Sequence, residues 1–123
     1  MTDAPPAATT AMHPLDAMAV APEHHDIILE NDQVRVLDTR LSPGERTPVH
    51  AHQWAAALYV LSWSDFLRRD ENGIVIVDSR EWAERPGPGD ALWGTPLVPH
   101  SVENVGTTDL HIIAVEVKQT RPN

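Results

Sequence analysis

The sequence predicts an all-β domain, a sandwich or closed jelly-roll barrel, led by a flexible N-terminal arm. Three observations carry this. Short runs of Val, Ile, Leu and Trp, about eight of them, recur from residue 26 onward, separated by turn-forming Asn-Asp, Pro-Gly, Asn-Gly and Gly-Thr-Thr-Asp segments. No segment keeps a helical period over three turns. Eleven prolines in 123 residues break the chain too often for long helices. The length suits one domain, and an apolar content of 41% supplies one core.

The elements follow in order. Residues 1–25 form the expected arm, disordered or docked on a partner, and residues 26–120 form the domain. Pro5, Pro6, Pro14 and Pro22 interrupt an Ala- and Thr-rich stretch. Leu15, Met18 and Val20 are its side chains suited to docking on the body or on a partner subunit. His13, His24 and His25, with His111, read as surface or tail residues. "DIILENDQVRVLDTRL" reads as two strands. "WAAALYVLSW" reads as a strand buried on both faces. Asn72-Gly73, between Phe66-Leu67 and Ile74–Val77, predicts a type I′ hairpin turn. "ERPGPGDALW" is a loop running into a short strand. "HSVENVGTTDLHIIAVEVK" gives two more strands.

Charge narrows the function. A net charge of −9 repels phosphate backbones and anionic lipid, which argues against nucleic-acid and membrane partners. No apolar run approaches the roughly 20 residues that span a bilayer. There is no cysteine, so thiolate metal sites, disulfides and a cysteine nucleophile are excluded. A cytoplasmic protein is expected.

Residues two apart on a strand share a side. His50 and His52 therefore aim together, along with Trp54, Ala56 and Leu58; His100 aims with Val102 and Asn104. If both sides face inward, three imidazoles meet, and imidazole is the commonest ligand for Fe, Zn, Cu and Ni. The competing reading is a pair of exposed histidines at a strand end. Ala55–Ala57 either leave room for a ligand beside Trp54 or merely let two sheets pack closely. Arg40 shares parity with Val34, Val36 and Asp38; it meets a substrate carboxylate if inward, and solvent if outward. Tyr59 points away from His52.

"GERTPVHAH", with Gly44, five residues and then His50-Ala51-His52, resembles the first half of the first cupin motif. "GDALWGTPLVPHSVEN" resembles the second motif through Gly89, His100 and Asn104. The resemblance covers about residues 26–118. It implies a small double-stranded β-helix, often homodimeric, with metal ligands at His50, His52 and His100. The motif departs in three places. The usual glutamate falls at Ala56 or Ala57, the closing glycine at Trp63, and the inner Pro-x-Gly at Thr95-Pro96-Leu97. Gln53 and Glu103 have the wrong parity to replace the acid.

A metal held by neutral imidazoles alone keeps its full positive charge and favours a bidentate anionic ligand. The sequence therefore points to a metal-binding cupin, expected as a mononuclear Fe(II) three-histidine dioxygenase acting on a small bidentate anion. Zn, Ni or Mn are alternative metals. No catalytic side chain beyond the ligands is assigned. The missing glutamate keeps a second reading open, a non-enzymatic ligand- or metal-binding module, and a third, a structural dimer with an empty barrel.

Overall fold

The computed structural model describes residues 12–118. Among them are one helical turn, α1 (Ala17–Val20), and nine strands: β1 (His25–Glu30), β2 (Val34–Leu41), β3 (His50–His52), β4 (Ala56–Ser62), β5 (Phe66–Asp70), β6 (Val75–Asp78), β7 (Ala91–Gly94), β8 (Leu97–Asn104) and β9 (Leu110–Val117). They form two antiparallel sheets, one ordered β1-β2-β9-β4-β7 and the other β3-β8-β5-β6. The all-β prediction is met as a double-stranded β-helix.

Side-chain parity decides what lies inside. In β2 the buried set is Arg35, Leu37 and Leu41, opposite Glu116, Ala114 and Leu110 of β9. Val34, Val36, Asp38 and Arg40 take the outer face. Arg40 is exposed and contacts His111, whose Nε2 lies 2.7 Å from Asp38. Of the two readings of Arg40 the outward one holds, so Arg40 is not a pocket residue. Both parities of β2 are half apolar, so the sequence pattern alone does not choose between them. The run from Trp54 to Trp63 is likewise not buried on both faces, since Tyr59 and Leu61 are exposed. The chain crosses from one sheet to the other between His52 and Ala56, so Trp54 and Ala55 precede the strand, which runs Ala56–Ser62.

The Asn72-Gly73 turn joins β5 to β6, but not as a type I′ turn. That geometry needs two residues with positive φ, and only Gly73 has one (+87°). Asp70 accepts hydrogen bonds from the Asn72 and Ile74 amides, and its own amide donates to Ile74 O. The result is a three-residue loop ending on a left-handed glycine. Gly44 and Gly89, which open the two motif-like stretches, also have φ near +90°. They mark turns that launch strands into the barrel.

Of the expected arm, residues 1–11 lie outside the described residues. From His13 to Ala21 the chain packs on its own barrel. Ala51 N donates to Leu15 O, His13 N donates to the Gln53 side chain, and Ala17 and Ala21 are fully buried. This segment touches both β1 and β3, the neighbouring edges of the two sheets, and closes the seam between them. Asp16 is its fastener. Its carboxylate accepts from Met18 N at the start of α1 and from both terminal nitrogens of Arg35 at 2.9–3.1 Å. Both side chains are 4% exposed.

Removing one partner of a buried ion pair strands the other charge, at a cost of about 3 kcal/mol. Asp16→Ala is expected to lower unfolding free energy by about that amount in urea titrations. A change below about 0.5 kcal/mol would show that the fastener carries no stability.

Candidate metal centre

Four histidines meet inside the barrel. His50 of β3 and His100 of β8 are cross-strand partners, with ring centroids 4.5 Å apart. His52 stands 5.0 Å from His50 and 5.8 Å from His100. The fourth comes from the opposite sheet: His25, first residue of β1, lies 5.1 Å from His50 and 5.5 Å from His52. One ring nitrogen each from His25, His50 and His52 lies within 4.8 Å of the other two, and His100 flanks this group. The reading of His25 as a tail residue is corrected, because it is 2% exposed. Its sequence signal was parity with Ile27, but it fell on the wrong side of a domain boundary drawn at residue 26.

The rings are held in one tautomer. Nδ1 of His50 faces Pro48 O at 2.8 Å, that of His100 faces Val98 O at 2.8 Å, and that of His25 faces Ala21 O at 3.0 Å. Nδ1 of His52 faces Glu116 Oε2 at 3.2 Å. A carbonyl or carboxylate oxygen only accepts, so each Nδ1 carries a proton, and in the neutral rings of His25, His50 and His100 Nε2 keeps its lone pair. Metal-ligating histidines are held in this way through their other ring nitrogen. Burial favours the neutral ring and pushes His50 down to about 3 and His25 and His100 down to about 4. The carbonyl bonds oppose this, and the neighbouring histidines add to it. The donor set fits a divalent transition metal: several neutral imidazoles with free nitrogen lone pairs, and no proton to displace at pH 7.

The acid absent from Ala56 stands directly across from it. Ala56 pairs with Glu116 of β9 on the inner face. Glu116 is 1% exposed and is not one of the convergent donors. Its Oε1 accepts from Arg35 Nε at 2.6 Å while Oε2 faces His52. The fixed carboxylate orients the ring and offsets part of a bound metal's charge. A glutamate within the alternating apolar run "LHIIAVEV" was its signal, by parity with Ile112 and Ala114. Burial alone would lower the Arg35 pKa, but its bonds to Asp16 and Glu116 more than offset this and raise it.

A cavity of about 160 Å³ adjoins the histidines, with Trp54, Ala56 and Leu58 in its wall. Trp54 lies under Arg35, whose Cζ is 5.1 Å from the indole centroid. A second cavity of about 370 Å³ shares Leu58, Arg68, Leu97 and Val102 with the first and continues to Trp63, Phe66 and Trp82. Arg68, not Arg40, is the arginine that lines both. Its charge disfavours protonation of His100.

Two packed sheets with histidines converging between them match one group of solved structures. A cupin domain from Bordetella pertussis is similar over 77% of this chain and 92% of its own, at 21% identity and a TM-score of 0.63. The chain has the cupin fold. An RmlC-like cupin from Methanocaldococcus jannaschii is similar at 14% identity and a TM-score of 0.54, over 76% and 78% of the two chains. The polyketide cyclase RemF from Streptomyces resistomycificus is similar at 24% identity and a TM-score of 0.52, over 80% and 66%. No protein-family model and no curated protein sequence matches the chain. Within this cupin barrel His50, His52 and His100 occupy the motif positions, and His25 and Glu116 are additions from β1 and β9.

Three neutral buried rings tie stability to pH. The unfolded chain's histidines take up protons below about 6.5, while the folded rings resist until about 4 or 3. Their contribution to stability is complete above pH 6.5 and is lost as the pH falls towards the folded values. With three extra protons bound on unfolding, the slope approaches about 4 kcal/mol per pH unit. Urea titrations of metal-free protein from pH 7.5 to 5 are expected to show this steepening. A flat profile would mean that the folded rings take up protons as readily as those of the unfolded chain.

Proposed function

We propose that the protein is a metal-dependent cupin. His25, His50 and His52, with His100 beside them, hold one divalent first-row ion and present it to a small bidentate anion. The carrying observation is the set of four imidazoles with every Nδ1 anchored and Nε2 free in the three neutral rings. Fe(II) is the metal we favour and dioxygenase chemistry the activity, with Zn, Ni or Mn as alternatives. When bound, the metal supplies a Lewis-acidic, oxygen-reactive centre. The protein's share is to fix the rings, to keep Glu116 against His52, and to surround the reacting end with apolar wall from Trp54, Ala56 and Leu58.

A specific observation favours the second reading, a binding module without turnover. Among the described residues lining the histidine cavity, the one carboxylate is Glu116, and Arg35 ties it down. No carboxylate is left free there for proton transfer.

Assembly as a homodimer belongs to the same proposal, with a second copy on the outer face of the β1-β2-β9-β4-β7 sheet. Leu29, Tyr59, Leu61 and Trp93 are exposed there, Trp93 by 63%. Val36, Ile113 and Val115 complete a centre without charge, while Asp38, Arg40 and His111 stand at one rim. Five strands of about seven residues give a face of roughly 550 Å² in projection, the scale of one side of a standard interface at about 800 Å² of accessible surface.

Untagged protein is expected to carry about one metal per chain by elemental analysis, and to lose it in both His50→Ala and His25→Ala. Full stoichiometry in both variants would remove the assignment. Oxygen uptake by Fe(II)-loaded protein against thiols, β-diketones and small keto acids separates the two readings: silence with metal bound favours the module. Light scattering is expected to give twice the chain mass, and Trp93→Glu to halve it. A monomeric parent protein would end the dimer proposal.

A further inference from the structure

Among the described arginines, Arg40 and Arg46 are exposed to solvent, and Arg68 differs from the rest. Arg35, Arg69, Arg80 and Arg85 each reach a carboxylate within 2.9 Å. Arg68 has no carboxylate partner among the described residues, and its Nε is buried without any hydrogen bond. An arginine does not shed its proton at any physiological pH, so the charge stays in the cavity uncompensated. Trp63 carries a second orphan. Its Nε1–H is also buried without an acceptor, and Trp63 lines the same cavity as Arg68. Both lie against Phe66: the Trp63 ring packs edge-on at 5.6 Å, and Arg68 Cζ lies 5.8 Å from the ring centroid. Unpaired donors inside a protein are costly, and here two of them belong to residues that line one cavity. The surroundings are aromatic and aliphatic. Trp82 packs on both Trp63 and Phe66, and Val77 and Val102 complete the wall.

We propose that Arg68 and the Trp63 indole N–H anchor the carboxylate of a small aromatic or aliphatic carboxylic acid, whose apolar body lies against Phe66, Trp82 and Val77. One guanidinium and one neutral donor suit a singly charged carboxylate better than a phosphate dianion. This names the substrate class for the cavity that the proposed metal centre shares. It rests on that reading for where the reacting end sits, but the carboxylate anchor itself needs no metal.

Binding to full-length protein is measured by tryptophan fluorescence and calorimetry, with and without metal, using phenylacetate, phenylacetamide, acetate and inorganic phosphate. Metal-free protein is expected to bind phenylacetate about tenfold or more tighter than its neutral amide, and tighter than acetate or phosphate. Arg68→Met is expected to remove that preference, to keep metal stoichiometry at the parent value, and to melt about 3 °C higher without ligand, because a lone buried charge has gone. Trp63→Phe is expected to weaken phenylacetate several-fold and leave phenylacetamide unchanged. Equal binding of acid and amide, tighter binding of phosphate, unchanged phenylacetate binding in Arg68→Met, or a lower melting temperature in that variant would each overturn the proposal. If the parent protein binds no metal yet discriminates phenylacetate as described, the anchor stands and the metal reading falls.

Discussion

Arg35 sits between two buried carboxylates, and much of the molecule hangs on that arrangement. Asp16 on one side belongs to the N-terminal segment, which closes the seam between β1 and β3. Glu116 on the other side belongs to β9, the central strand of its sheet, and faces His52. One guanidinium thus connects the closure of the barrel to the orientation of a ring in the candidate metal centre. Burying three charges is expensive unless each is paired, and here the hydrogen bonds are short and the pairing is complete. The trade is specificity: Asp16 has one place to go, so the segment that carries it docks in one register. That docking also brings in Ala21, whose carbonyl fixes the His25 tautomer.

The departures from the cupin motif form a pattern. At Ala56 the usual glutamate gives way to a small side chain, and the carboxylate appears instead on the facing strand as Glu116. The exchange moves the acid from a position where it would bind metal to one where it orients His52, and the vacated volume becomes cavity wall. At Trp63 the expected glycine gives way to the largest side chain. The indole helps build the aromatic end of the second cavity and brings one of its two orphan donors. The motif is altered in the places that set the size and polarity of the interior, while the turns at Gly44 and Gly89 are kept.

The barrel was legible because its signals are local. Turn residues and short β-branched runs specify strands without reference to the rest of the chain, and Gly44, Gly89, His50, His52, His100 and Asn104 keep fixed spacing. Asn104 shows why spacing can stand in for structure: its amide donates to Leu41 and Thr108 and accepts from Ser64 and Gly106, joining three chain segments. His25, Arg35 and Glu116 were not legible because their meaning is nonlocal. Each is a polar residue in or beside an apolar strand, and only pairing across strands shows that they share an interior. Arg40 was left undecided for a related reason. The outer face of its sheet is itself apolar, so hydrophobicity does not mark which parity points in.

Electrostatics unites the interior. Asp16, Arg35 and Glu116 together carry one net negative charge, close to His52 and under the proposed metal. Arg68 carries one positive charge at the junction of the two cavities. A divalent ion among neutral imidazoles would leave the interior with two net positive charges, in surroundings where apolar walls keep water from screening them. Such a cavity is incomplete without an anion, and a carboxylate with a second, metal-seeking donor would meet both centres of charge. The proposed site also gives Ala56 a role. A glutamate there would neutralise the site from within and remove part of the field that selects an anionic ligand.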